Sequence, residues 1–371
     1  MIGKHKLELD TPCLVIDKNK LMNNIETMQA FATAKSKQVR PHAKTHKCVE
    51  ICQLQLDAGS IGISITKPSE AYELAKAKIR HLLITSPIVT KHKLATLAKI
   101  LKLAPETMLV VDSNANLTQL NQLGCELNLS INLLIDIDAG IGRTGASFEA
   151  AFGLALAVHQ HSNTVLKGIQ CYAGHFQHIV DNDERKQASA ALLNKAGKLK
   201  QDIEHATGLV NLIQSGSGTG TYQIDSDIAS VTEIQPGSYS VMDQEYFDIE
   251  YSVGNSADNS VGHFQPAMTL LTSVISANHS THVTVDAGTK ALYKETTHPQ
   301  IISHDGLKYE WHYFGDEHGK VSGDNLPNVG GMIEMIVPHC DPTINLHDKF
   351  YVVEDDIVVE VWDIALRGKL A

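Results

Sequence analysis

INLLIDIDAGIGRTG, residues 131–145, is the stretch on which the reading of the fold turns. Its first half is a β-rich run, and residues 140–145 spell G-x-G-x-x-G, the outline of a dinucleotide-binding turn. A dinucleotide fold puts that turn after its first strand, whereas four β-rich runs already precede this one. Arg143 would also crowd the approach of a pyrophosphate. The better reading is a glycine-shaped loop closing a fifth strand and presenting Arg143 to something planar or anionic.

Working outward, the runs before it are QVRPH (38–42), SIGISI (60–65), HLLITS (81–86) and TMLVVD (107–112). After it come VLKGIQCY (165–172), VNLIQS (210–215) and VTEIQP (231–236). Amphipathic segments such as KPSEAYELAKAK (67–78) and ERKQASAALLNKAGKLKQDIEHA (184–206) separate most of them. Eight strands with helical crossovers is the count of a (β/α)8 barrel; periodicity alone leaves an open doubly wound sheet as the alternative. From about residue 262 the texture changes. AMTLLTSVISA, HVTVDAG, EMIVPHC, KFYVVED and IVVEVWDIAL are β-branched runs joined by Gly, Asp and Pro, the pattern of an all-β domain. The expected organisation is α/β: a barrel over 26–260 and a β-domain over 261–371 that also recruits CLVID from residues 1–25. DKNKLMNNIETMQAFATAK (17–35) reads as the helix leading into the barrel.

Composition removes several functions. With 371 residues and 43% hydrophobic content the chain can bury a large core. A net charge of −11, with no long basic run, argues against nucleic acid as a partner. MIGKHKLELD has no apolar core of a secretory signal, and no apolar segment is long enough for a membrane span, so the expectation is a cytoplasmic protein. The six cysteines, at 13, 48, 52, 125, 171 and 340, have no paired spacing, which suits free thiols in a reducing compartment.

The chemically unusual stretches all fall at the C-terminal ends of the expected barrel strands, where barrel enzymes build their sites. RPHAKTHK (40–47) ends the first strand and carries five basic or imidazole side chains with no acid. DIDAGIGRTG ends the fifth, CYAGHFQH the sixth, SGSGTGTY (215–222) the seventh and EIQPGSY the eighth. SGSGTGTY offers hydroxyls and unencumbered backbone N–H groups ahead of a helix start, a phosphate-binding turn. A lysine beside other cations and partly desolvated becomes a nucleophile for a carbonyl. A lysine imine with a phosphate cradle across the rim suits pyridoxal phosphate, and a sugar-phosphate aldolase would use similar parts. In PHCDPT, an alternating strand would turn His339 and Asp341 to one face and Cys340 away. An imidazole with a carboxylate suits Zn²⁺, Mn²⁺ or Mg²⁺; a hydrogen-bonded His and Asp on a turn is the plainer alternative. His42 and His46 stand four apart, but the neighbouring lysines would repel a cation.

RPHAKTHK, the Arg143 loop, YAGHFQH, SGSGTG, EIQPGSYSVMD and PHCDPTINLHD, in that order, resemble the D-threonine aldolase and D-serine dehydratase family. These are pyridoxal phosphate enzymes with an alanine-racemase-like barrel and a C-terminal β-domain, and the resemblance spans nearly the whole chain. It implies that Lys44 is the Schiff-base lysine and that Arg143 and Tyr172 contact the cofactor. It further implies that Ser215, Gly218, Thr219 and Gly220 hold the phosphate, with His42 and Gln235 lining the cofactor pocket. By the same resemblance His339 and Asp341 bind a divalent metal, and His178 acts on the substrate hydroxyl. Lys47 is expected in the following helix, facing solvent or serving as a charge neighbour. Homodimers with each site near the subunit boundary are implied as well. The eukaryotic-type D-serine dehydratases carry His-x-Cys where this chain reads His339-Cys340-Asp341, which is the aldolase version.

The function these readings imply is a lyase acting on D-3-hydroxy amino acids and giving glycine with an aldehyde. A D-serine or D-threo-3-hydroxyaspartate dehydratase, giving a keto acid and ammonia, uses the same residues with a different bond aligned. A racemase has no work for a metal pair, and a non-catalytic pyridoxal phosphate carrier resembles the barrel alone.

Overall fold

The computed structural model describes residues 1–253, 264–311 and 315–371. The expected boundary near residue 260 lies outside them. The chain forms two compact units, one of residues 28–44, 52–237 and 369–371, the other of residues 1–27, 45–51 and 238–368.

The first unit contains the barrel. After β1 (Cys13–Asp17) and α1 (Lys18–Ala34) come β2 (Gln38–Val39), β3 (Ile63–Ile65), β4 (Leu82–Ile84) and β5 (Met108–Val111). β6 (Ile131–Ile137), β7 (Thr164–Cys171), β8 (Ile213–Gly216) and β9 (Glu233–Ile234) complete it. Every ladder in this sheet is parallel, in the order β2-β9-β8-β7-β6-β5-β4-β3. The ends meet just past β2, where His42 bridges Ser64 and the Ser64 N–H donates to the Pro41 carbonyl at 2.8 Å. Closure explains why the strands read as unbroken apolar runs: one face fills the barrel and the other is covered by helices. Leu83, Met108, Val110 and Leu134 form one such buried cluster.

The crossovers are α2 (Val49–Asp57), α3 (Pro68–Lys76), α4 (Lys91–Leu103), α5 (Asn114–Leu127), α6 (Phe148–Gln160), α7 (Asn182–Thr207) and the single turn α8 (Tyr222–Ser226). Their ends follow local chemistry. The side chains of Thr90, Ser113, Ser147 and Asp181 each cap an N-terminus by accepting from the third backbone N–H of the helix. Asn128 and Gly208 close α5 and α7 in left-handed conformations.

The second unit is strand-rich and begins, after α9 (Gln244–Val253), with β10 (Met268–Ser276) and β11 (His282–Val285). It continues with β12 (Gln300–Ile301), β13 (Lys308–Glu310), β14 (Gly319–Ser322) and β15 (Met332–Ile336). The short helix α10 (Cys340–Ile344), β16 (Lys349–Glu354) and β17 (Ile357–Asp363) follow. β1 lies in the middle of this sheet, antiparallel to β10 and parallel to β16, as the CLVID run suggested. Leu9, Cys13, Val15, Leu271, Val353 and Val358 pack into its core.

Two sequence expectations are corrected here. The strand through EMIVPHC stops at Ile336, so His339 caps α10 and Asp341 sits in that helix's first turn instead of on an alternating strand. Pro338 and Pro342 disfavour strand continuation, because a proline nitrogen cannot donate to a ladder. Lys47 precedes α2 rather than belonging to it; it is buried, with φ +52°, and its carbonyl accepts from the Leu366 N–H at 3.0 Å. None of the six cysteines is in a disulfide, and only Cys125 is exposed. Among the described residues no helix is long and apolar enough to cross a membrane.

Candidate active site

The basic stretch separates into members with different tasks. Arg40 turns into the barrel wall, where Nε and Nη2 donate to the Glu233 carboxylate at 3.1 and 3.2 Å. Its Nη1 donates to the His81 carbonyl at 2.6 Å. Such a bidentate pair compensates for the burial of both charges. The Nδ1 of His42 accepts from the Lys44 N–H at 3.3 Å, which puts the ring proton on Nε2, 3.1 Å from Thr85 Oγ1. Lys44 occupies the turn after β2, at the C-terminal rim, and is half-buried. His46 is fully buried and its Nδ1 accepts from the Cys48 N–H at 3.2 Å.

On the next part of the rim, the loop after β6 holds the Arg143 guanidinium 5.7 Å from the centre of the Tyr172 ring. Tyr172 follows β7, and its hydroxyl accepts from Gln177 Nε2 at 2.8 Å. Gln177 lies in the 3-10 turn Gly174–His178, and its Oε1 accepts from the Gly220 N–H at 3.1 Å. His178 ends that turn and is exposed. The glycine turn after β8 follows, with Ser217 in the left-handed region at φ +70°. A Cβ on Gly218 would stand 2.2 Å from Gln177 Oε1, and one on Gly220 would stand 2.9 Å from the Gln177 backbone. Only glycines allow this close approach of the turn to Gln177. α8 has only five residues, so no long helix dipole stands behind the turn. Behind the turn, Ser189 and Thr221 donate to Asp225, whose carboxyl burial pushes above its ordinary range. An amine-bearing turn, an aromatic ring under a guanidinium and a glycine-rich turn at the strand ends fit pyridoxal phosphate.

Ser215 and Gln235 lie lower, in a polar chain that the motifs did not announce. Gln235 Nε2 donates to Ser215 Oγ at 2.7 Å and to Gln170 Oε1 at 3.3 Å, and Ser215 Oγ donates to Glu233 at 2.6 Å. Gln170 Nε2 donates to Asp136 Oδ1 at 2.9 Å, and Thr144 Oγ1 donates to Asp136 Oδ2 at 2.9 Å. Burial and the nearby Asp112 push Asp136 up to about 6, against its bonds to Gln170 and Thr144 and the positive Arg143. Asp136 and Gln170 escaped the sequence reading. The available signal was a polar residue at an inward position of an otherwise apolar strand.

In the second unit, His339 Nδ1 lies 3.2 Å from Asp243 Oδ2 and 3.2 Å from Glu245 Oε2. Those contacts are close but misaligned, so this buried nitrogen lacks a directed hydrogen bond. Burial disfavours charge on the ring, yet Asp243, Glu245 and Asp341 outweigh it and hold the metal-free imidazole up at about 10. Asp243 is fully buried and also accepts from the Cys340 N–H at 2.8 Å and from its Sγ at 3.0 Å. Burial drives the Cys340 thiol well above its ordinary range, so a thiolate is disfavoured there. An orphaned imidazole nitrogen among carboxylates fits a small divalent cation. Among the described residues no group of three or more His, Cys, Asp or Glu side chains is arranged to hold a metal ion. Asp243 and Glu245 were also missed, since they lie nearly a hundred residues before His339.

Two family models match the chain: the alanine racemase N-terminal domain over residues 16–245 and a putative serine dehydratase domain over residues 267–353. The D-threonine aldolase of Arthrobacter sp. is 34% identical over 99% of this chain and 95% of its own length. The 3-hydroxy-D-aspartate aldolase of Paracoccus denitrificans (strain Pd 1222) is 33% identical over 99% of this chain and 94% of its own. The crystal structure of D-threonine aldolase from Filomicrobium marinum superposes with a TM-score of 0.92 at 31% identity, covering 100% of this chain and 99% of that one. The chain therefore belongs to the family of pyridoxal phosphate enzymes with an alanine-racemase-like fold that includes the D-threonine aldolases and D-serine dehydratases.

Proposed function

We propose that this protein is a pyridoxal phosphate- and divalent-metal-dependent lyase that cleaves D-3-hydroxy amino acids to glycine and an aldehyde. The observation that carries this reading is the end-to-end match to D-3-hydroxy amino acid aldolases, with an imidazole–carboxylate pair at the metal position. The state of Cys340 supports it: its thiol donates to Asp243 at 3.0 Å and burial holds it well above its ordinary range, which disfavours a thiolate ligand and favours a carboxylate beside His339.

Lys44 would hold the cofactor covalently, Arg143 and Tyr172 would flank its ring, and the amides of the 217–220 turn would take its phosphate. Pyridoxal phosphate supplies an electron sink for a bond broken at Cα. A divalent ion held by His339 and Asp341 would supply Lewis acidity, and the carboxylate ligand favours hard cations such as Mn²⁺ or Mg²⁺ over a thiolate-preferring one. His178 accepts the proton of the substrate's 3-hydroxyl, a task suited to imidazole because it titrates near neutrality. The Lys44 amine would return a proton to Cα. The stereochemical preference for D-substrates and a homodimeric assembly belong to this proposal.

Borohydride reduction of the purified protein followed by peptide mass mapping should place a pyridoxyl adduct on Lys44, and Lys44→Ala should lack it. Aldehyde release from D-threonine should stop on chelation with EDTA and return with Mn²⁺. An adduct on another lysine, or full activity in EDTA, would remove the assignments of Lys44 or of the metal respectively.

A further inference from the structure

We propose that Asp136 is a positioning residue for the cofactor site: it clamps the 138–146 loop through Thr144 and fixes the amides of Gln170 and Gln235, so that Arg143 stays over the Tyr172 ring. The proposal rests on the reading that Arg143 contacts the cofactor.

The loop that carries Arg143 is anchored by three carboxylates and a closed backbone pair. The Ala146 N–H donates to the Asp136 carbonyl at 2.9 Å, and the Asp138 N–H donates to the Ala146 carbonyl at 3.0 Å. Asp138 Oδ1 accepts from the N–H groups of Gly140 and Gly142 at 2.9 and 3.1 Å, and Asp112 Oδ2 accepts from the Gly145 N–H at 3.4 Å. The side-chain tie nearest Arg143 is the Thr144 hydroxyl, which donates to Asp136 Oδ2 at 2.9 Å. Arg143 itself is exposed, so without that tie its long side chain has little to select the position over Tyr172.

The other oxygen of Asp136 orders the barrel interior. An ionised carboxylate accepts only, so Asp136, together with the Thr85 carbonyl at 3.3 Å, turns the Gln170 amide nitrogen inward and the Gln170 oxygen toward Gln235. Gln235 must then donate to both Gln170 and Ser215, which leaves the Ser215 hydroxyl to donate to Glu233. Asp136 and Glu233 thus terminate one chain of hydrogen bonds, running from the Arg143 loop to Ser215, a β8 residue just before the glycine turn. Every side chain from Asp136 to Arg40 along it is at least 95% buried. Such a chain behaves as a unit. A buried acid is a costly way to tie down a loop, and burial has indeed pushed this one upward. Asparagine could not accept from both donors.

The test is a double-mutant cycle on the holoenzyme, with the dissociation constant of pyridoxal phosphate as the readout. Thr144→Val in the otherwise native protein should weaken cofactor binding by about tenfold, the size expected of coupled neighbours. Thr144→Ser, which keeps the hydroxyl, should restore it. In an Arg143→Ala background the same Thr144→Val change should have almost no further effect. Equal weakening in both backgrounds would overturn the proposal, because the clamp would then act independently of Arg143. So would a Thr144→Val protein that binds as tightly as the native one. If Arg143→Ala alone leaves cofactor binding unchanged, the reading of Arg143 fails and the proposal fails with it. Asp136→Asn gives a second route to the same comparison: its loss of affinity should also vanish in the Arg143→Ala background.

Discussion

Asp136→Asn should make the protein more stable at pH 7.5 while weakening its hold on the cofactor. The carboxyl of Asp136 titrates at about 6 in the folded chain against an ordinary 3.8, so the folded state binds the proton more tightly than the unfolded one. A raised carboxyl contributes its full stability below about pH 3.8 and loses it as pH rises through about 6. Above both values the ionised group costs about 3 kcal/mol, from about two pKa units at 1.36 kcal/mol each. Asparagine removes that cost but surrenders one charge-assisted acceptor, worth about 1.5 kcal/mol. A net gain on the order of 1–2 kcal/mol remains near pH 7.5 and disappears, or reverses, by about pH 4. Thermal unfolding of the cofactor-free protein at several pH values reads this directly, since bound ligand would otherwise shift the midpoint. The cofactor-free variant should unfold at higher temperature than the native chain at pH 7.5, with the gap closing toward pH 4. A midpoint that falls at pH 7.5, or a gap that ignores pH, would refute the reasoning.

Three further outcomes follow from the same geometry. Asp243→Asn should weaken binding of Mn²⁺ by about 10–100-fold in a calorimetric titration, because carboxylates beside a ligating imidazole set its orientation and basicity; unchanged affinity would place the metal elsewhere. Gly218→Ala puts a methyl 2.2 Å from Gln177 Oε1 and must dislodge the bond from Gln177 to Tyr172, so cofactor affinity should fall by about tenfold, roughly one hydrogen bond. Glu233→Ala leaves the Arg40 guanidinium buried without its carboxylate and should cost about 3–5 kcal/mol in urea unfolding, whereas a loss under about 1 kcal/mol would mean that water reaches Arg40.

Much of this was legible in the sequence, for identifiable reasons. Eight apolar runs separated by helical periodicity announced a parallel α/β sheet, closed or open, because strands covered on both faces carry no alternation. CLVID could be assigned to the other unit because a long helix follows it at once. The rim residues stood out through glycine and cationic residues at strand ends. Local signals failed where long-range packing decides. Lys47 is buried because its backbone takes a left-handed turn and is bonded to Leu366, more than three hundred residues away. His339 and Asp341 share a helix start, not a strand face, and the two prolines around them were the available clue. Asp243 and Glu245 give no hint of His339 in their own neighbourhood. Asp136 was hidden inside DID, where only one of the two carboxylates is fully buried.

The most direct test of the central claim is proton NMR of D-threonine incubated with the holoenzyme in D₂O. Cleavage between Cα and Cβ should yield acetaldehyde and glycine carrying solvent deuterium at Cα, with L-threonine untouched. Accumulation of a keto acid with ammonia, or of Cα-deuterated threonine without cleavage, would contradict it and assign the chain to the dehydratases or to the racemases.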